Sequence, residues 1–386
     1  MDIQWLEQDL TVIINGQPAL LLPKEYVLLQ FLYRNRGQVF SREQLLDQVW
    51  PLEFPVERTV DDHIYRLRKK LSGIAGLSIK TVRGFGYSLT VQVSTATWLS
   101  TPTTGDAEMQ ETMLRLLGTY HKYGQGRSLL TLARQQDVLG YEMDPFYRVC
   151  VHFIEGDLAW LLFTEEVGLQ DRLYYLVVFY LFMGGGQAEE RLAFCERVLD
   201  QKILAPAEHL ELKILNILLL YALAGQPQKA LDRLKLTHQV IADPNYESFV
   251  PVTAIAEMSV HLIAGTADEQ VEAMCMSIDE LLAAKPYLRE IGQYHVAKGL
   301  WRLRQRAWRE AERLLDEGLQ VLEMSGFVPM RCYVLQQIVQ FSEMFSSIPA
   351  LRDKYAMLMH EEHERMDLPR LRQPLENLLR SAVLSL

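Results

Sequence analysis

The stretch RTVDDHIYRLRKKL, residues 58–71, limits the fold more tightly than any other part of the chain. At 100° per residue, Val60, Ile64, Leu67 and Leu71 fall within about 60° of one another, so the spacing predicts a helix with one buried stripe. Arg58, Asp62, Tyr65, Arg66 and Lys69 occupy the opposite side. His63 and Lys70 flank that side on one edge, Asp61 and Arg68 on the other. Five of the fourteen side chains are cationic, yet the whole chain has a formal net charge of −10. The imbalance is local: residues 1–93 hold 11 Lys/Arg against 10 Asp/Glu, and the remainder holds 28 against 39. A basic outer face is commonly just solvated, so its neighbours in the sequence must decide its meaning.

Those neighbours form an ordered set. IQW and LTVII alternate like strands, and Asn15-Gly16 is a hairpin signal. PKEYVLLQFLYRN has helical spacing, with Pro23 at the start, where a missing amide hydrogen does no harm. SREQLLDQVW opens on the capping-box pair Ser41 and Gln44. IKTVRGFGYSLTV reads as two short strands around a turn containing Gly84 and Gly86, with Arg83 at the tip. Strands, three helices and a final hairpin make an α+β winged helix-turn-helix over residues 1–93. A DNA major groove admits one helix, and Arg on guanine is the commonest base contact there. An Arg at a hairpin tip reaches a minor groove or a phosphate.

SREQLLDQVW, RTVDDHIYRLRKKL and IKTVRGFGYSL together resemble the OmpR/PhoB-type winged-helix DNA-binding domain, over residues 3–91. The resemblance implies that the third helix enters the major groove and that the hairpin at 79–89 is the wing. It implies that Arg42, Trp50 and Arg58 sit near phosphates, and that His63, Tyr65, Arg66 and Arg68 belong to the recognition helix, alongside Asp62 and Lys69. Thr81, Arg83 and Tyr87 fall on the wing, and Asp61 matches an acid that is more structural than base-reading. Two residues depart from the pattern. Asp62 replaces an apolar residue facing bases; a carboxylate there repels phosphate but accepts from a cytosine amino group. Leu22 replaces a Thr or Ser, removing a side-chain cap worth about 1 kcal/mol. With the winged helix starting at residue 3, no phosphorylated receiver domain is expected before it. The arrangement resembles SARP-type one-component regulators, whose helical part binds proteins or senses a signal; that resemblance also favours activation over repression.

Residues 94–105, STATWLSTPTTG, have the composition of a linker. From 106 to 386 an all-α domain of tetratricopeptide-like helical repeats is expected. FYLFMG (179–184), LYALAG (220–225), VHLIAG (260–265) and LWRLRQ (300–305) recur about every 40 residues, bringing the rings Tyr180, Tyr221, His261 and Trp301 into register. Arg306 stands where a turn glycine is expected. Gly124, Gly126 and Pro145 mark breaks in an earlier helical stretch; an irregular helical bundle is the alternative to a repeat stack.

Other signals point away from chemistry. Cys150, Cys195, Cys275 and Cys332 have no CxxC spacing and read as buried free thiols in a reducing cytosol. HEEH (360–363) places histidines at i, i+3 rather than the i, i+4 of a zinc protease helix. GQGRS (124–128) lacks a phosphate-loop Lys, and GGG (184–186) reads as a helix stop. The longest uncharged run, residues 173–186, is short for a membrane span. The expectation is a cytoplasmic transcription regulator, not an enzyme, without cofactor or metal. It binds double-stranded DNA, and residues 106–386 bind a protein or peptide effector, RNA polymerase or a second copy. The rival readings are an interaction scaffold whose winged helix docks a protein, and a peptide-sensing regulator.

Overall fold

The computed structural model describes residues 3–6, 9–14, 17–51, 53, 55–72, 77–82, 84–91, 102–183 and 187–384. The chain divides into two compact units, Met1–Pro102 and Thr103–Leu386. The first begins with an antiparallel sheet of β1 (Ile3–Leu6), β2 (Thr11–Ile14) and β3 (Gln17–Leu20) in that spatial order. The periodicity reading missed β3. It is an edge strand, where Pro18, opposite Ile13, is tolerated without an amide hydrogen. The Asn15-Gly16 signal lies outside the described residues.

Then follow α1 (Pro23–Arg34), β4 (Val39–Phe40), α2 (Arg42–Val49), α3 (Arg58–Leu71), β5 (Leu77–Val82) and β6 (Gly86–Val91). The last two strands form the wing hairpin, and β4 extends it in the order β4-β6-β5. The capping box at α2 forms as expected: Gln44 N–H donates to Ser41 Oγ at 3.1 Å, and Ser41 N–H donates to Gln44 Oε1 at 2.8 Å. Leu22 offers α1 no side-chain cap, but its own N–H donates to Glu25 Oε2 at 2.8 Å. Val60, Ile64, Leu67 and Leu71 of α3 are buried in one core with Leu28, Leu29, Leu32, Leu45 and Leu89. Burying each such side chain contributes about 1.5–3 kcal/mol, against about 0–1 for an exposed ion pair. The apolar stripe therefore sets where α3 lies.

The second unit is helical. It opens with a 3-10 turn at Pro102–Gly105, then α4 (Ala107–Lys122), α5 (Gly126–Arg134), α6 (Gln136–Leu139), α7 (Pro145–Glu155), α8 (Leu158–Phe163), α9 (Leu169–Met183) and α10 (Ala188–Gln201). α11 (Pro206–Glu211) runs through a π-helical turn, Leu212–Asn216, into α12 (Ile217–Leu223). Next come α13 (Pro227–Ile241), a 3-10 turn at Pro244–Phe249, α14 (Val250–Ile263), α15 (Asp268–Ala284), α16 (Leu288–Arg304) and α17 (Trp308–Ser325). The chain closes with α18 (Val328–Met344), α19 (Pro349–Arg365) and α20 (Leu368–Leu384).

Four consecutive hairpins, α12/α13, α14/α15, α16/α17 and α18/α19, share one turn. In each, a residue in the left-handed region follows the first helix: Gly225 (φ 71°), Gly265 (φ 75°), Arg306 (φ 59°) and Ser346 (φ 50°), spaced by 40, 41 and 40 residues. Each turn is closed by the same bond pair, such as Gly225 N–H to Ala222 O and Gln226 N–H to Tyr221 O. Arg306 thus holds the glycine conformation that its place in the repeat demands, and Ser346 adds a fourth turn that the sequence motif did not reveal. The α16/α17 hairpin is the tightest. A Cβ on Gly318 would lie 2.8 Å from the Gly292 carbonyl oxygen, so these two backbones touch through their glycines.

The array also meets itself. α18 packs on α7 and α9, with Phe182 and Tyr333 stacked at 4.1 Å, and α20 packs on α8, α9 and α10. The four cysteines are free and buried, and burial pushes the thiols of Cys150, Cys195 and Cys332 up to about 12. The HEEH segment lies on α19, where Glu362 is buried and pairs with Arg331 and Arg365, a structural ion-pair hub. Among the described residues, no helix is long and apolar enough to cross a membrane.

An L-residue in the left-handed region is strained by about 1–2 kcal/mol, and glycine is more flexible when unfolded. Arg306→Gly is therefore expected to raise stability by about 0.5–1 kcal/mol. Gly265→Ala, whose new Cβ would meet open space, is expected to lower it by about 1 kcal/mol. Thermal melts of the two variants check both signs.

Candidate nucleic-acid interface

The cations of α3 separate into two groups. Lys70 Nζ lies 2.6 Å from Glu25 Oε2, a carboxylate that is fully buried, so Lys70 ties α3 to α1. Arg68 donates to the Ile79 carbonyl at 2.9 and 2.7 Å and to Thr81 Oγ1 at 2.8 Å, tying α3 to the wing strand β5. Its guanidinium also lies over the Tyr87 ring, 5.6 Å from the centroid.

Asp61 joins three elements. Its Oδ1 accepts from Arg42 Nε on α2 at 2.7 Å and from the Tyr87 hydroxyl on β6 at 2.6 Å. Arg42 also lies over the Tyr87 ring at 5.2 Å. Burial, and then the adjoining Asp61 carboxylate, pushes the Tyr87 hydroxyl up, which keeps it protonated as a donor. The hydrogen bond to Asp61 is the main cause that raises the Arg42 pKa. Asp61 is thus structural, as the resemblance implied.

Of the residues that the resemblance singles out, three are buried or engaged within the domain. Trp50 is only 3% exposed; its ring packs edge-on to His63 at 5.0 Å and lies under Lys24, so the indole is core rather than a phosphate-facing surface. Tyr87 is 5% exposed and its hydroxyl serves Asp61. The donors of Arg68 are directed at the wing, which makes it a positioning residue before it is a reader. His63 is half-buried, with Nδ1 2.7 Å from the Thr59 carbonyl. Thr81 is exposed and accepts from Arg68. Arg83 lies outside the described residues.

Arg58, Asp62, Tyr65, Arg66 and Lys69 remain. All are exposed, Tyr65 by 67%, and the three cations make no ion pair among the described residues. Arg42, Arg58, Asp62 and Tyr65 rim one shallow depression with Glu57 and Asp61.

Sequence reasoning missed the positioning residues Lys24, Glu25 and Gly86. Lys24 Nζ donates to the Val49 carbonyl at 2.8 Å and pairs with Glu53 at 3.0 Å, fixing the end of α2. The three-residue spacing of Leu22 and Glu25 is that of a capping box and could have exposed the role of Glu25. At Gly86 (φ 151°) a Cβ would fall 1.9 Å from the Phe40 carbonyl oxygen, so only glycine lets the wing press on the entry to α2.

Residues 16–89 match the family "Transcriptional regulatory protein, C terminal". Residues 16–89 are an OmpR/PhoB-type winged-helix DNA-binding domain. The transcriptional regulatory protein YclJ of Bacillus subtilis (strain 168) is 55% identical over 78 residues, 20% of this chain and 34% of that protein. The phosphate regulon transcriptional regulatory protein PhoB of Pseudomonas aeruginosa is 51% identical over 77 residues, again 20% and 34%. The solved DNA-binding domain of Bacillus subtilis CssR is matched over 23% of this chain and 100% of that domain, with 32% identity and a TM-score of 0.21. The chain spans about a third of the length of the curated relatives it matches. Both relatives are transcriptional regulatory proteins.

Asp61 is the shared acceptor of the winged-helix domain, though its side chain is 40% exposed. Asp61→Ala is expected to lower the stability of this domain by about 1–2 kcal/mol, a value reduced for solvent screening. A urea titration followed by circular dichroism measures it.

Proposed function

We propose that the chain is a transcription regulator that binds duplex DNA with α3 in the major groove and the wing on the flanking backbone. The helical unit, a set of tetratricopeptide-like hairpins, governs that binding through a protein or peptide effector. One observation carries the reading. Of the five cations on α3, two hold the domain together, while Arg58, Arg66 and Lys69 stand exposed beside Tyr65 and Asp62, with no ion pair among the described residues. A solvated face needs no such rigid support; a reading face does, because base contacts require a fixed helix position. The charge distribution agrees: residues 94–386 hold 28 Lys/Arg against 39 Asp/Glu, and a net acidic unit is repelled by phosphate and stays clear of the duplex.

Selection from a random duplex pool, followed by titration, tests this. Arg66→Ala is expected to weaken binding to the selected site by about 1–3 kcal/mol and to relax specificity at one base position. Arg83→Ala is expected to lower affinity on all sequences and to flatten the salt dependence. Failure to bind any duplex in dilute buffer would overturn the reading in favour of a winged helix that docks a protein.

A further inference from the structure

Because the helical array meets itself, it encloses a cavity of about 570 Å³, lined from α4, α7, α9, α11 through α12, α14, α16 and α18. That volume is in the range of ligand sites, ~300–1,000 Å³. Much of its wall is aromatic, including Phe153, Tyr175, Phe249 and Phe327.

Its polar lining, which also includes Lys122, Glu247 and Gln337, holds two clusters, and Arg289 of the second lies close enough to act on Glu211 of the first. In the first cluster, Glu208 and Glu211 sit a helical turn apart on α11, at the mouth of the π-helical turn. Such turns recur at functional sites, and here the Ile214 carbonyl accepts from Thr237 Oγ1 at 2.7 Å. The Glu211 carboxylate is bonded by the Tyr174 hydroxyl, which in turn accepts from Asn216 Nδ2 at 3.0 Å. Glu208 Oε2 is buried with no hydrogen-bond partner. Neither acid forms an ion pair among the described residues, and burial raises the pKa of both. Burial penalises the charged form of both acids, and an incoming cation would restore it, so this cluster suits a positive group.

The second cluster donates. Arg289 and Gln293 lie one turn apart on α16 and both line the cavity. Arg289 is held over Phe327 at 4.9 Å and against Glu290 at 2.5 Å, through Nε and Nη2. Gly124 packs directly on the start of α16, since a Cβ there would lie 2.6 Å from the Arg289 backbone nitrogen. Gln293 is 9% exposed, and its Nε2 is a buried donor with no partner. An orphaned buried donor costs about 1–3 kcal/mol unless something meets it. His121, also in the wall, is lowered to about 4 by burial and by Arg289, so it is neutral near pH 7 and adds no charge.

The geometry points to a binding site for a small zwitterion with an aromatic side chain. Its ammonium faces Glu208 and Glu211, its carboxylate or terminal carbonyl faces Arg289 and Gln293, and its ring lies among the aromatic side chains. A free aromatic amino acid and a short peptide share this chemistry. The site deepens the effector reading above by giving the effector a place and a charge pattern.

Calorimetric titration of the full chain tests it with four probes: L-phenylalanine, L-phenylalanyl-L-alanine, phenethylamine and 3-phenylpropanoate. At least one zwitterion is expected to bind, with the amine and the acid each at least about tenfold weaker, the scale of one lost charged hydrogen bond. Whichever zwitterion binds tighter separates the amino acid from the peptide. Glu211→Gln keeps an acceptor for Tyr174 and is expected to weaken the zwitterion and the amine but not the acid. Gln293→Leu removes the unpartnered Nε2 donor and is expected to weaken the zwitterion and the acid but not the amine. No binding of either zwitterion at millimolar concentration overturns the proposal. So does equal binding of all four probes, or indifference to both substitutions in protein that melts normally. A gel shift on the same preparation reports DNA binding separately, so failure of the ligand site and failure of the DNA-binding reading are distinguishable.

Discussion

The position of one helix governs the first unit. Val60, Ile64, Leu67 and Leu71 lock α3 into the core, so its opposite side has a fixed direction. Hydrophobic burial is strong but non-directional. What it leaves undetermined, the rotation of α3 relative to α2 and the wing, is set by polar links: Asp61 to Arg42 and Tyr87, and Arg68 to Ile79 and Thr81. The two kinds of force divide the work, one fixing depth and the other fixing angle.

This division also explains why a basic helix belongs in an acidic protein. Its cations are not interchangeable. Lys70 neutralises a buried carboxylate, Arg68 holds the wing, and Arg58, Arg66 and Lys69 stand exposed with no ion pair among the described residues. Counting charges alone would have assigned all five to the same purpose.

The winged helix was legible because its signals are local. The stripe on α3 and the Ser41–Gln44 box lie within a few residues of one another, and local spacing is what sequence periodicity records. The edge strand β3 was hidden by Pro18, and β4 is only two residues long. The burial of Trp50 was not legible, because it depends on Lys24 and His63, one of them 26 residues away in sequence. In the helical unit the 40-residue recurrence was visible at Tyr221 and Gly225, and the structure extends it through Arg306 to Ser346. Closure of the array was invisible, since the Phe182–Tyr333 stack joins positions about 150 residues apart. The cavity wall inherits that obscurity: Glu211 and Gln293 become partners in one site only when distant hairpins come together.

A closed array behaves as a hoop, whereas an open one behaves as a spring. In a spring each coil bends alone, and a disturbance fades along its length. In a hoop fastened by the Phe182–Tyr333 stack and by α20, a change in girth at one hairpin must be taken up by the others. Whatever occupies the middle is therefore felt all the way around the circumference.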